Sequence, residues 1–329
     1  MKAPFPWFGG KSRVADLVWE RFGDVPNYVE PFAGSLAVLL GRPHEPRTET
    51  VNDKDAYLVN FWRGIEFDPD AVAEYADWPV SEADILARHK WLMSLGVARL
   101  ELLRSDPEFF DAKIAGWWVW GVCSWIGSGW CVQRGDGDQP EQLPHLGNAG
   151  RGINRKLPHL GNAGMGINRK LPHLGDAGRG ERIKEYFREL SGRLRDVRIC
   201  QGEWGRVLGD SVTIKHGLTG IFLDPPYGAD EHSVEYSASS DVAPQVREWA
   251  IANGDNPELR IALCGYEGEH EMPDTWECVA WKARGGYGSQ SDGRGRENCA
   301  RERIWFSPAC LRPQAFLAFG APVEVYAHD

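Results

Sequence analysis

Asp224-Pro225-Pro226-Tyr227 sets a carboxylate, two rigid residues and an aromatic ring directly behind the run Gly220–Leu223. Ile221, Phe222 and Leu223 are all apolar, the pattern of a parallel strand covered on both faces. Proline donates no N–H and fixes φ, so Pro225-Pro226 would end that strand in a stiff bend with set carbonyl directions. A carboxylate beside a rigid carbonyl makes two acceptors aimed at one point. An aromatic amine offers two N–H donors and a lone pair delocalised into its ring. Holding both hydrogens favours a pyramidal nitrogen whose lone pair is free to attack. The Tyr227 ring would give a planar base a face to stack on. The chemistry indicated is activation of a nucleobase amino group toward an electrophile held nearby.

"YVEPFAGS" (Tyr28–Ser35) offers a place for that electrophile. A strand that turns at small residues into a helix lets a ligand approach the backbone closely. Asp53 in "VNDKD" then falls at the end of the next strand, where a carboxylate can hold both hydroxyls of a ribose. Each has a plainer reading: Gly34 as a tight turn, and Asp53 as the N-cap of a helix beginning at Ala56.

The elements that must position these groups read as α/β. Val14, Leu17, Val18 and Phe22 have helical spacing, "SLAVLL" continues the first turn as a helix, "TETVND" is a strand and "AYLVNFWRGI" a helix. Residues 80–126 read as mostly helical and rich in tryptophan. From Glu181 the alternation resumes, with "IKEYFRELSGRL" a helix and "VRICQG", "GIFLD", "RIALCGY" and "RERIWFSP" strands. The expected fold is a doubly wound, Rossmann-like α/β sheet formed by residues 1–66 and 181–329. Residues 67–180 form an inserted helical, glycine-rich lobe.

Inside the insert, "LPHLGNAGRGINRK", "LPHLGNAGMGINRK" and "LPHLGDAGRGERIK" repeat with a 14-residue period over residues 143–184. Three glycines and a proline per unit exclude an amphipathic helix. The chain carries a net charge of −10, yet residues 151–198 hold twelve Lys and Arg against five Asp and Glu. That band is +7, leaving −17 for the remainder. A local basic band can follow a phosphate backbone whatever the overall charge. Arg155, Lys156, Arg169 and Lys170 recur at equivalent places in two units and, with Arg179, are the candidate DNA contacts; the alternative is a surface loop lengthened by duplication.

Hydrophobic content of 42% and charged content of 26% fit a soluble globular protein. No apolar run approaches the roughly 20 residues that span a bilayer, and the N-terminus lacks the apolar core of a signal peptide. Seven scattered cysteines without a CxxC pair indicate neither a disulfide framework nor a zinc site. The repeat histidines have no recurring carboxylate or cysteine beside them, so no metal is expected. A reduced, cytoplasmic protein follows from this reading. "GGKS" (Gly9–Ser12) echoes the tail of a P-loop, but Phe5 stands where its first glycine would be.

The order "PWFGGK" (Pro6–Lys11), "EPFAGS", "VND", an insertion and "DPPY" resembles the Dam-type DNA adenine-N6 methyltransferases, of the D12 class and α motif order. The resemblance covers the first 65 residues and the block from about 181 onward. It implies S-adenosylmethionine as cofactor and double-stranded DNA as substrate. Trp7, Gly9, Gly10 and Lys11, together with Asp53 and Asp224, would contact the cofactor. The backbone of Pro31, Phe32, Ala33, Gly34 and Ser35 would pass beside its methionine portion, and Glu203 and Trp204 would flank its adenine. Asp224, Pro225, Pro226 and Tyr227 would form the catalytic segment that receives an adenine flipped out of the duplex. One departure is visible: the family's first motif is often FxGxG, and Leu36 replaces the second glycine. Cytosine-N4 or RNA-adenine methylation, and a catalytically silent cofactor-binding DNA module, are the rival readings. Aspartate at position 224 favours adenine, because by resemblance the cytosine enzymes more often carry serine there.

Overall fold

In the computed structural model, seven strands form one sheet. The structure describes residues 1–7, 11–126, 130–131, 152–153, 160–161, 169–170, 181–226, 242–281 and 301–312. The strands are β1 (Asn27–Glu30), β2 (Thr48–Asp53), β3 (Val197–Gln201), β4 (Thr219–Leu223), β5 (Leu259–Tyr266), β6 (Glu277–Ala280) and β7 (Glu302–Phe306). Their order is β3-β2-β1-β4-β5-β7-β6. The pairs from β3 through β5 are all parallel, and β7 is antiparallel to both of its neighbours. This is the expected doubly wound sheet. The chain reverses its direction of travel between β1 and β4, so their carboxyl ends flank the crevice where open α/β sheets place ligands.

Strand side chains alternate between the two faces, as a period of two requires. Tyr28, Phe222, Ala262, Cys264, Ile304 and Phe306 enter one apolar cluster. Val29, Ile221, Leu223, Ile261, Leu263 and Trp305 enter the other. The first face is covered by α1 (Ala15–Phe22), α2 (Ala37–Leu40), α3 (Ala56–Phe67) and α8 (Glu181–Leu194). The second is covered by Val246 and Ala250 of α9 (Val242–Asn253).

The inserted segment supplies α4 (Pro69–Ala76), α5 (Glu82–Trp91), α6 (Val97–Leu100) and α7 (Ala112–Ser124). Asp68, Ser81 and Asp111 cap α4, α5 and α7 by accepting backbone N–H bonds, the expected use of such residues at a helix start. Ile114, Trp118 and Val122 of α7 join the same apolar cluster as Phe61 of α3 and Phe187 of α8. Within the repeats, the backbones of Leu160–Gly161 and Arg169–Lys170 pair as a short antiparallel ladder. Among the described residues, no helix is long and apolar enough to cross a membrane.

Candidate active site

β1 ends at Glu30, and the chain turns through Pro31–Ser35 before α2 begins. Gly34 has φ +48°, which a glycine adopts without steric cost. It also faces Trp7 closely: a Cβ at this position would lie 2.7 Å from Trp7 Cδ1 and Nε1. The Gly34 N–H donates to Asp53 Oδ2 at 3.1 Å, and Trp62 Nε1 donates to the Gly34 carbonyl at 3.0 Å. The turn is therefore held from the end of β2 and from α3 at once.

Leu36 occupies the left-handed region at φ 55°, and its side chain is fully buried. The backbone here takes the shape a glycine would give it, while leucine adds a core side chain.

Asp53 is not the cap of α3. Asp55 is, accepting from Tyr57 N and Leu58 N, while Asp53 Oδ1 accepts from Asp55 N at 3.0 Å. Burial raises the Asp53 pKa, against the opposing N–H bonds from Asp55, Gly34 and Lys54. Burial followed by the charge of Asp53 pushes Asp55 up to about 6.

At the carboxyl end of β4, Asp224 meets Lys11, with Nζ 3.0 Å from Oδ1. Lys11 is buried. Burial by itself lowers a lysine pKa, but Asp224, Cys264 and Glu302 outweigh it and hold Lys11 above its ordinary value. Glu30, also buried, accepts from Tyr28 Oη at 2.9 Å. Its pKa is raised well above the carboxylate range, first by burial and then by the Asp224 and Glu49 charges. The N-terminal segment, the β1 turn and the β4 end thus meet at one edge of the sheet.

Two buried acceptors in the same region lack a donor among the described residues, Asn52 Oδ1 on β2 and Gln201 Oε1 on β3. The other end of the Asn52 amide donates to the carbonyls of Pro31 and Gly202, tying the turn after β1 to the end of β3. The Trp204 ring stacks on Phe32, with centroids 6.3 Å apart. Glu203 instead points to solvent and pairs with Lys54 at 2.8 Å.

The structure thus brings Trp7, Lys11, Pro31–Ser35, Asp53, Trp204 and Asp224 to one edge. Gly9, Gly10, Tyr227, Arg155, Lys156 and Arg179 lie outside the described residues, and of Arg169 and Lys170 only the backbone is described. Part of the basic band is committed to internal ion pairs. Lys184 meets Glu74, Arg188 meets Asp70 with two bonds of 2.8 Å, and Arg193 grips the buried Glu49. These cations fasten α8 to α4 and β2. Sequence reasoning passed over Asn52, Gln201, Glu30 and Trp281. Asn52 stands inside the quoted "VND", and the alternating "ECVAW" (Glu277–Trp281) carried a strand signal.

Residues 7–81 match the family of D12 class N6 adenine-specific DNA methyltransferases. The match takes in Trp7, Lys11, the turn after β1 and Asp53, and ends well before Asp224. None of the curated proteins matches the chain.

Proposed function

We propose, from the match of residues 7–81 to the D12 class N6 adenine-specific DNA methyltransferases, that this chain transfers a methyl group to adenine N6 in DNA, with the residues at the sheet edge carrying out the transfer. The observation that carries the reading is the position of Asp224. It stands at the carboxyl end of β4, beside the topological switch point, and is paired with Lys11 of the matched segment.

The edge fits S-adenosylmethionine. Gly34 lets Trp7 pack directly on the turn, where a Cβ would collide, so the ring and the turn backbone form one wall. Asp53, half-buried with a raised pKa, faces that turn and suits the hydroxyls of a ribose. Asn52 Oδ1 and Gln201 Oε1 are unmet acceptors suited to N–H or O–H groups of a nucleoside. When bound, the cofactor supplies a methyl group made electrophilic by its sulfonium.

The remaining work falls to the chain. Asp224 and the Pro225 carbonyl accept the two N6 hydrogens of a flipped adenine, freeing its lone pair. Tyr227 stacks on the base and repays part of the few kcal/mol that extrusion costs. Lys11 orients the Asp224 carboxylate through its Oδ1, and the proton that N6 loses after the transfer leaves to solvent by way of that carboxylate. Catalysis is chiefly positioning, and no covalent enzyme intermediate is needed.

Residues 143–184, which carry the repeats, serve in this reading as a DNA-contacting part of the chain. Incubation with methyl-labelled S-adenosylmethionine and unmodified DNA, followed by digestion to nucleosides, tests the assignment. Label in N6-methyldeoxyadenosine is the expected product. Label in N4-methyldeoxycytidine, or in RNA only, would replace it with a rival reading.

A further inference from the structure

Trp281 follows β6 at the far side of the sheet. Because β7 is antiparallel to both β5 and β6, β6 runs parallel to β5. Its C-terminus therefore returns to the edge where β4 ends in Asp224. The Trp281 backbone N–H donates to the Glu302 carbonyl, and Glu302 is in register with Tyr266 at the end of β5. Val279 and Trp281 pack against the apolar cluster of Phe222 and Cys264, the sheet face that also carries Glu30.

Lys11 joins this ring to the catalytic segment. Its Nζ lies 5.4 Å from the Trp281 ring centroid and 3.0 Å from Asp224 Oδ1. One ammonium is thus flanked by a carboxylate on the β4 side and an indole on the β6 side. The indole Nε1–H is buried and has no acceptor among the described residues. Leaving such a donor unmet is costly, and each such group in a folded protein calls for a reason.

The chemistry of adenine supplies one. Its amino group is flanked by N1 and N7, both acceptors without hydrogens. With Asp224 holding the N6 hydrogens, an N–H donor on the same edge can meet one of these ring nitrogens. We propose that Trp281 Nε1–H donates to the ring nitrogen beside the amino group of the target adenine, so that the base is read as a donor with an adjacent acceptor. This rests on the Asp224 reading above. Guanine would set its O6 acceptor against the Asp224 acceptor, and thymine its O4, so both are rejected by the same pair of residues. A site built around a hydrogen bond discriminates strongly because the wrong partner leaves a buried group unpaired.

Trp281→Phe keeps a ring and removes the N–H. The substrate is a duplex carrying the sequence that the wild-type protein methylates, with adenine, 1-deazaadenine or 7-deazaadenine at the target position. The variant should lose about tenfold in kcat/KM on adenine, with S-adenosylmethionine affinity unchanged by calorimetry. The wild-type protein should lose a similar factor on one of the two analogues, and the variant should show no further loss there. Variant activity within twofold of wild type on adenine, or the same analogue penalties in both proteins, overturns the proposal. Should the variant fail to bind the cofactor, wild type alone decides: equal rates on adenine and both analogues overturn it. Asp224→Ala, assayed on all three duplexes, tests the underlying reading separately.

Discussion

Lys11 and Asp224, 213 residues apart in the sequence, form an ion pair of 3.0 Å at the carboxyl edge of the sheet. The pair is poorly hydrated, with Lys11 only 6% exposed. A buried pair of this kind adds little net stability, yet losing one partner strands a charge. Its presence at the strand end that carries Pro225 and Pro226 is therefore better explained by chemistry than by folding. The raised pKa of Lys11 keeps the ammonium charged throughout the neutral range. Its contribution to stability is complete below the unfolded lysine value of about 10.4 and is lost only as pH rises through the still higher folded value.

Gly34→Ala should damage cofactor binding more than folding. The new Cβ would press on Trp7 at 2.7 Å, and φ +48° disfavours any side chain. Titration calorimetry should show S-adenosylmethionine binding weakened about tenfold or more, while the protein still melts cooperatively. Unchanged affinity would remove Trp7 and the Gly34 turn from the cofactor site.

β4 was legible because it is a short apolar run bounded by turn residues, and β2 covers the segment Thr48–Asp53 that was read as a strand. β6 was missed: it is an edge strand of only four residues with alternating burial, too short for a period of two to stand out. α9 was missed because Pro244 in its first turn reads as a breaker, although proline is tolerated there. At the site, Asp53 and Asp224 announced themselves as lone acids at strand ends. The helix cap was misassigned as an option for Asp53 because "DKD" offers two acids, and only the folded backbone distinguishes Asp55 as the one facing Tyr57 N and Leu58 N. The approach of Lys11 to Trp281 joins distant segments and has no local signature.

Leu36 gives a test of the altered turn. A leucine-to-alanine change at a fully buried position costs about 2.7–5 kcal/mol. Glycine loses the same side chain but recovers about 1 kcal/mol or more by relieving the left-handed backbone. Urea unfolding should therefore find Leu36→Gly at least as stable as Leu36→Ala, the reverse of the usual order. An alanine variant more stable than the glycine variant would mean the φ of 55° carries no strain.

Asp55 makes part of the stability pH-dependent. Its pKa is about 6 in the folded protein, against about 3.9 unfolded. The folded state then holds a proton that the unfolded state has released, so stability falls as pH rises from about 4 to about 6. Asp55→Asn keeps an N-cap acceptor and removes the titration. Melting curves should show the variant gaining on wild type across that interval, by about 2 °C or more. Parallel pH profiles would contradict the assignment.

The repeats are tested by salt. Changing Arg155, Lys156, Arg169 and Lys170 together to alanine should weaken DNA binding and flatten its salt dependence. The log–log slope should fall by about 0.9 for each phosphate that is no longer neutralised. Cofactor affinity should not move. Equal affinities with parallel slopes would make the repeats a lengthened surface loop, and the DNA-binding surface would have to be sought near Trp117 to Trp130, on and after α7.

The most direct measurement is methyl transfer by Asp224→Ala. The fold should survive with reduced stability, because the side chain stands at a strand end but its loss strands the buried Lys11 ammonium. Methyl-labelled S-adenosylmethionine, unmodified DNA and nucleoside analysis give the rate for wild type and variant under identical conditions. The account predicts N6-methyldeoxyadenosine from wild type and a loss of several orders of magnitude in the variant, with cooperative melting intact. Near-wild-type turnover by a folded Asp224→Ala protein would contradict it.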